Sequence, residues 1–341
     1  MLNNKKICLL LDYRGTLWSS VRRIETDYSM DVSAIANAFR DYDYQVHTME
    51  FSKIDFRSKY DHNIFVYQTS EDRGVLYKSF IEDSVYALQL HGAVVIPEYR
   101  YLLAHHNKCF MEFLRDLTPN PNVQSLKAHC FGVYEEIKDA DLTFPIVLKP
   151  SAGAKGTGVC IAYDRAELLR NAKKLMRSFS MLQLGIELRK RLFFKGFVNR
   201  SLHRRKVIAQ EYFPGLSYDF KVLCYWDRYY VLKRKVRKND FRASGSGIFE
   251  WIRETPIELL EFADSVRWSF NVPCISMDIG MSNSKTVLFE MQFVSFGTLT
   301  LEKSEGYFIR KDGDWVWESS NPDLEKTFVY SIVEYIEQNS I

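Results

Sequence analysis

The densest chemistry in the sequence lies between Phe144 and Gly158. There an apolar run, Phe144-Pro-Ile-Val-Leu, delivers Lys149, and a loop holding Ser151, Gly153, Lys155, Gly156 and Gly158 follows before a second apolar run, Val159–Ala162. A lysine at a strand end supplies a point charge suited to phosphate. Glycines let the backbone approach phosphate oxygens closely and present its N–H groups to them. No Gly-Lys-Ser/Thr closes the loop, so it is not a P-loop, and the dinucleotide pattern G-x-G-x-x-G is absent. Taken alone, the segment also fits a glycine-rich β-hairpin.

A second set of reactive types lies downstream. Ser276-Met-Asp278 and Leu288-Phe-Glu290-Met-Gln292-Phe293 place carboxylates on two apolar strands. Glu290 and Gln292 are two apart and so share one face of their strand. Asp278, Glu290 and the amide oxygen of Gln292 make a plausible magnesium set, with waters and phosphate oxygens as further ligands, and manganese suits the same oxygens. Between the two sets, Val207-Ile-Ala-Gln210-Glu211-Tyr212-Phe213-Pro214-Gly215 reads as a buried strand breaking into a hinge, whose backbone groups could meet an adenine edge. Asp219 and Lys221 follow on a strand. Then come the charged run Lys233–Lys238, which also reads as a solvated strand, and the loop Phe241-Arg242-Ala-Ser244-Gly245-Ser-Gly247.

One motif is a decoy. Leu9-Leu10-Leu11-Asp12-Tyr13-Arg14-Gly15-Thr16 resembles the D-x-D-x-T nucleophile strand of haloacid-dehalogenase phosphatases. That chemistry needs a second carboxylate as general acid two residues on. Arg14 stands there, so the segment reads as a strand ending in a loop, with Arg14 a candidate anion binder at the sheet edge.

The elements that must carry these residues can be placed by periodicity. Ile7–Leu11, Val46–Phe51 and Ile64–Gln68 read as strands and Val32–Phe39 as a helix, an order that predicts a small open parallel sheet up to about residue 103. Asn107–Leu117 reads as a helix that Lys108 begins, ended by the turn Pro119-Asn120-Pro121-Asn122. His105 and His106 read as ordinary helix-entry residues. Beyond about 211, alternating strands dominate, with one helix near Pro256–Trp268. The expected sections are 1–106, an N-terminal α/β domain; 107–210, a central lobe with a glycine-rich lid and a basic helical segment; and 211–341, a C-terminal lobe with the metal site.

At 341 residues, 46% hydrophobic and 26% charged, the chain has the composition of a globular protein of two or three lobes. A net charge of +3 selects no partner, and the six scattered cysteines form no Cys-x-x-Cys pair, which suits reduced thiols. No secretory leader pattern and no run of 18 apolar residues occurs, so the expectation is a cytoplasmic protein without a membrane span. Residues 165–206 carry 13 Lys/Arg against 2 Glu, interleaved with Leu, Met and Phe. They read as one or two surface helices, or as a surface for an acidic polymer, a partner protein or a membrane. No nucleic-acid motif appears, and nucleic acid is not an expected partner.

In their order, these parts are similar to the ATP-grasp superfamily of carboxylate–amine ligases, over roughly residues 60–305. The resemblance implies an α/β (α+β) ATP-grasp fold: a small N-terminal open parallel sheet, then two α+β lobes clamping ATP. It implies that Lys108 and Lys149 contact ATP phosphates, and that the loop from Ser151 through Gly153 and Gly156 to Gly158 closes over them. Gln210, Glu211, Tyr212 and Phe213 would hold adenine, Asp219 would lie at the ribose or nearby, and Asp278, Glu290 and Gln292 would hold Mg2+ (or Mn2+). Phe241-Arg242-Ala-Ser244 looks like the arginine loop of the glutamate-ligase branch, with Arg242 facing the acyl phosphate and Lys235 assisting. The chain departs from the family's Glu-x-Asn at Gln292, which offers the same carbonyl on a longer arm. The implied reaction is amide or peptide bond formation through an acyl phosphate, with release of ADP and phosphate. The substrates would be a small-molecule, peptide or polymer carboxylate and an amine, and a homodimer is permitted. The segment 296–307 after the metal strand would line the acceptor pocket. The competing readings are a nucleotide-binding regulator or scaffold without ligase activity, and a phosphotransferase that stops after phosphorylating its acceptor.

Overall fold

A computed structural model describes residues 6–21, 28–60, 63–153, 156–216, 218–236, 247–282 and 285–341. The described residues fall into two compact units, one drawn from Met1–His105, Asn120–Val123 and Ser217–Ile341, the other from His106–Pro119 and Gln124–Leu216.

The first unit begins with strand β1 (Lys6–Leu11), the two-residue strands β2 (Leu17–Trp18) and β3 (Ser29–Met30), and then β4 (Gln45–Glu50), β5 (Ile64–Tyr67) and β6 (Val94–Ile96). β4, β1, β5 and β6 form a parallel sheet in that order, as the β-α-β pattern predicts. Helices α1 (Val32–Arg40) and α2 (Lys78–Leu90) lie between the strands, and α3 (Tyr99–Ala104) follows β6. The strand period of two divides β1 between two cores. Ile7 and Leu9 pack with Ile35 and Phe39 of α1, while Leu10 packs with Ile81, Val85 and Leu88 of α2. A strand buried on both faces is apolar throughout, which is why Ile7–Leu11 lacks polar alternation. Asp31 caps α1, accepting from the Ala34 N–H at 2.9 Å.

The second unit contains α4 (Lys108–Leu117), α5 (Tyr134–Asp139), α6 (Arg165–Leu175) and α7 (Met181–Phe193). Its antiparallel sheet has the order β7 (Ala128–Phe131), β10 (Val207–Glu211), β8 (Ile146–Pro150), β9 (Cys160–Ala162). Ile146, Leu148, Val207 and Ala209 bury against Leu168 and Ala172 of α6 and Ile137 of α5.

The first unit resumes with a seven-stranded antiparallel sheet. Its members are β11 (Tyr218–Tyr225), β12 (Arg228–Lys235), β13 (Phe249–Trp251), β14 (Cys274–Met281), β15 (Thr286–Gln292), β16 (Gly306–Lys311) and β17 (Asp314–Ser319). The order is β15-β14-β11-β12-β16-β17, with β13 also on β12. Helix α8 (Ile257–Trp268) agrees with its expected span, and a short α9 (Leu299–Glu302) follows β15.

Helix α10 (Leu324–Gln338) departs from the strand-rich expectation for this section. Asp323 caps it by accepting from the Lys326 N–H at 2.9 Å. Leu324, Phe328, Ile332 and Ile336, spaced by four, bury one stripe of it against Ile7, Leu9, Ile35 and Phe39. The first and third expected sections therefore share one apolar core. Among the described residues no helix is long and apolar enough to cross a membrane.

Candidate nucleotide and metal sites

In the second unit, β8 carries Lys149 at its end, opposite Ile208 of β10, so Lys149 and Gln210 lie on one face as diagonal neighbours. Lys149 Nζ donates to Gln210 Oε1 at 2.6 Å. That contact fixes the amide orientation, since a flipped amide would set two donors against each other. Gln210 is buried, and its Nε2 has no hydrogen-bond acceptor among the described residues. A buried amide N–H without an acceptor costs about 1–3 kcal/mol, so a ligand acceptor there would recover what folding leaves unmade.

Ser151 joins the loop to helix α4. Its carbonyl accepts from the Lys108 N–H at 2.9 Å, and its hydroxyl accepts from the Cys109 N–H at 3.3 Å and donates to Asn107 Oδ1 at 3.2 Å. The α4 N–H groups that no helical carbonyl can reach are met in this way. Lys108 is thereby held at the root of the glycine loop, 2.9 Å from a residue far from it in sequence.

The glycines are required by the loop's shape. Gly156 and Gly158 have φ of +70° and +76°, and a Cβ on Gly158 would lie 3.2 Å from Pro150 Cγ. Gly153 has φ +131°. Ala154 and Lys155 lie outside the described residues. At the far end of β10 the strand stops at Glu211, whose N–H donates to the Lys127 carbonyl at 2.9 Å and whose carboxylate accepts from the Lys127 N–H at 3.3 Å. Tyr212 and Phe213 then leave the ladder, and Gly215 turns the chain with φ +74°.

In the first unit, four strands bring a charged cluster to one sheet face. Asp219 lies opposite Arg234, Lys221 opposite Asp278, Asp278 opposite Glu290, and Ser276 opposite Gln292. Arg234 binds Asp219 as a fork, with Nε to Oδ1 at 2.7 Å and Nη2 to Oδ2 at 2.9 Å. The same Nη2 reaches Asp278 Oδ2 at 3.0 Å. Lys221 Nζ donates to Ser276 Oγ at 2.9 Å and stands 3.5 Å from Asp278 Oδ1. Gln292 Nε2 donates to Glu290 Oε1 at 3.1 Å.

The electrostatics follow from burial and these partners. Burial alone would raise the Asp278 carboxyl, but Arg234 and Lys221 together outweigh it and bring it down to about 2. Asp219 is pushed up to about 6, because burial, with Asp278 adding to it, exceeds the pull of Arg234. Burial works against the Arg234 charge, yet its two carboxylates raise its pKa further. Among the described residues of this face, Asp219, Asp278 and Glu290 stand beside Arg234 and Lys221. Asp278 Oδ1 is buried, with Lys221 Nζ 3.5 Å away among the described residues. With Glu290 directly across and the Gln292 carbonyl on the same face, the donor set fits a hard divalent cation, which would share Asp278 with Arg234 and Lys221.

The charged run on β12 resolves by parity. Arg234 faces the carboxylate cluster, whereas Lys235 points to the opposite face, exposed and 3.8 Å from Glu250 Oε2. Lys235, expected to assist Arg242, thus lies on the face opposite the carboxylate cluster, because a strand shows alternate residues on alternate faces, and the inward cation is Arg234. Arg242 and its loop lie outside the described residues.

Asp12 closes the phosphatase comparison. Its Oδ1 accepts from Arg14 N at 2.9 Å, Thr16 N at 3.0 Å and Thr16 Oγ1 at 2.8 Å, and its Oδ2 accepts from the Arg14 guanidinium at 3.1 and 3.2 Å. This buried carboxylate organises its own turn, and Arg14 is committed to it. Beyond β15, Ser295 donates to Gln68 Oε1 through N at 2.7 Å and Oγ at 2.9 Å, and Thr298 N donates to Ser20 Oγ at 2.7 Å. These bonds fasten the segment 295–298 to the loops at the C-terminal edge of the parallel sheet. His105, read as a helix-entry residue, is buried with Nε2 2.6 Å from Glu71 Oε1.

No family model and no curated protein sequence matches the chain. Solved structures do. D-cycloserine synthetase DcsG superposes with a TM-score of 0.51 at 14% identity, over 96% of this chain and 99% of that one. The ATP-grasp ligase PsnB, complexed with precursor peptide PsnA2 and AMPPNP, gives 0.50 at 10% identity, over 99% and 100%. A RimK domain protein ATP-grasp from Sphaerobacter thermophilus gives 0.48 at 12%, over 96% and 99%. The chain has the ATP-grasp fold.

Proposed function

We propose that this ATP-grasp chain is an ATP-dependent carboxylate–amine ligase, forming an amide or peptide bond through an acyl phosphate and releasing ADP and phosphate. The observation that carries the reading is Lys149 at the root of a positive-φ glycine loop, bonded to a buried Gln210 whose Nε2 has no acceptor among the described residues. Section 107–210 would bind the nucleotide. Lys108 and Lys149 neutralise phosphate oxygens, the Gly153–Gly158 loop covers them, and the Gln210–Phe213 hinge takes the adenine edge. Ser151 acts by holding Lys108 to the loop.

Section 211–341 would carry the charge of the transfer, and section 1–106 would contribute to the acceptor side. Asp278, Glu290 and the Gln292 carbonyl would hold Mg2+ or Mn2+, which supplies neutralisation of phosphate oxygens. Asp219 would lie toward the ribose, with Arg234 keeping it ionised and oriented. Arg242 would face the acyl phosphate, where a planar guanidinium matches paired oxygens. Phosphoryl transfer asks little covalent work of the protein, so positioning, charge neutralisation and exclusion of water by the loop supply the rate. PsnB, by its description, binds a precursor peptide; a peptide carboxylate is accordingly among the acceptor classes to test here.

One observation favours a second reading, a nucleotide-binding protein without ligase activity. Arg234 and Lys221 already pair with Asp278, which lowers the attraction of the cluster for a divalent cation. Screening carboxylate and amine pairs for ADP release, with mass spectrometry for the new amide, separates the readings. ATP with magnesium should raise the melting temperature, as any ligand selective for the folded state does. Calorimetry showing no ATP binding under magnesium sinks both. Binding with no ADP formed against any acceptor pair leaves the second, and a phosphorylated acceptor without an amide marks a phosphotransferase.

A further inference from the structure

Helix α7 packs the wrong way round for a surface helix. None of its residues is buried, and the less exposed ones, Leu184, Glu187 and Lys190, include two charges. Glu187 sits 3.9 Å from Arg200, and Lys190 stands over the Phe197 ring at 5.8 Å. Gln183, Arg189 and Arg191 are exposed too, but most of its exposed side chains are apolar. Met181, Leu182, Ile186, Leu188, Leu192 and Phe193 are 44–75% exposed. They form two stripes, Met181/Leu188/Leu192 and Leu182/Ile186/Phe193, with Arg189 between them. Such contiguous exposed apolar surface marks an interaction site.

The helix begins at a cationic cavity. About 540 Å³ of open space is lined by Lys174, Arg177, Arg205, Phe179, Ser180 and Gln183. The three cations have no acidic partner among the described residues, and no carboxylate lines the cavity. The first turn of α7 adds the positive end of its dipole.

We propose that α7 and this cavity dock the protein on a membrane surface rich in anionic phospholipid. The two apolar stripes make a convex, broad surface, wider than the single stripe that a groove-binding helix presents. A bilayer interface accepts a convex helix, taking its apolar side chains to the headgroup–acyl boundary while Arg and Lys stems reach the phosphates. The charge agrees, with 13 Lys/Arg against 2 Glu over residues 165–206. The cavity lined by Lys174, Arg177 and Arg205 is the place for an anionic headgroup. This inference is independent of ligase activity.

The full chain, sedimented with vesicles, tests the proposal. Vesicles of phosphatidylcholine with about 30% phosphatidylglycerol should bind it at least about tenfold better than phosphatidylcholine alone, with the difference reduced by salt. The double variant Leu192→Ser/Phe193→Ser, exposed and so expected to fold with unchanged melting temperature, should lose about tenfold in vesicle affinity. Arg177→Gln with Arg205→Gln should lose a comparable factor on anionic vesicles only. Three outcomes overturn the proposal. The first is failure to bind anionic vesicles, and the second is equal binding to neutral ones. The third is anionic binding unchanged by the Leu192/Phe193 variant, which would reduce the interaction to charge alone. If soluble poly-glutamate binds and vesicles do not, the surface serves an acidic peptide instead.

Discussion

Replacing Arg234 by Met tests the charged cluster most directly. Arg234 is 6% exposed and contacts Asp219 at 2.7 and 2.9 Å and Asp278 at 3.0 Å. Methionine keeps much of the volume and removes the charge, leaving Asp219 buried without its cation and Asp278 with Lys221 alone. Breaking a buried pair on one side costs about 3–5 kcal/mol, because the remaining charge is uncompensated. For 341 residues at about 2.1 cal/mol/K each, one kcal/mol corresponds to about 1.4 °C, so the melting temperature should fall by about 4–7 °C near neutral pH. The deficit should also depend on pH. Asp219 already titrates at about 6 in the folded chain, above its ordinary value. Without Arg234 it rises further, so the folded state holds a proton that the unfolded state has released. Ionisation of such a group costs stability as pH rises, and the deficit should shrink as pH falls toward about 5. Calorimetry of both proteins at about pH 5.5 and about pH 7.5 measures this. Arg234→Met combined with Asp219→Leu should recover much of the loss, since removing both partners is far cheaper than removing one. A single variant melting within about 1 °C of wild type at both pH values would refute the ion-pair reasoning.

Further outcomes bear on the proposed reaction. Asp278→Asn and Glu290→Gln should each lower turnover by roughly 10²-fold, and Gln292→Ala by less; steady-state ADP release checks this, and an unchanged Asp278→Asn removes the metal site. Gly158→Ala should weaken ATP binding and cost about 1–2 kcal/mol of stability, because its φ of +76° disfavours a Cβ and that Cβ would meet Pro150 Cγ at 3.2 Å; calorimetry and thermal melts read both. Arg242→Lys should slow the single-turnover step while leaving the ATP Kd nearly unchanged, and wild-type behaviour in both takes Arg242 out of the site.

What could be read without coordinates depended on how local its cause was. The parallel sheet was legible because Ile7–Leu11 and Ile64–Tyr67 are apolar runs set among helical spacing. Lys149 and its glycines were legible because φ preference belongs to glycine itself. The inward cation was not. Choosing Arg234 over Lys235 needs the β11–β12 register, which the two-residue turn at Trp226-Asp227 sets by pairing Tyr225 with Arg228. That turn lacks the Asn-Gly or Asp-Gly signal, and Trp226 adopts φ +60° against its preference. It is held there by Arg267, whose Nε donates to the Trp226 carbonyl at 3.0 Å and whose guanidinium lies 4.3 Å from the Trp226 ring centre and 4.0 Å from that of Trp268. No local pattern announces a contact across forty residues. The α10 stripe, by contrast, had a visible signal in Asp323 followed by Leu324, Phe328, Ile332 and Ile336.

The shared core of α1 and α10 also sets an order of assembly. Ile7, Leu9, Ile35 and Phe39 are made early, yet the side chains that cover them, Phe328, Ile332 and Ile336, leave the ribosome only after the whole of residues 106–216. The second unit closes within its own stretch of sequence and can bury Leu148, Leu168 and Val207 while synthesis continues. The N-terminal sheet cannot complete its burial until α10 arrives, and the loop that must then close spans nearly the full chain. During that interval the apolar side of α1 that α10 covers stands open to solvent. Nascent chains stalled before Leu324 would therefore be the ones that need a chaperone.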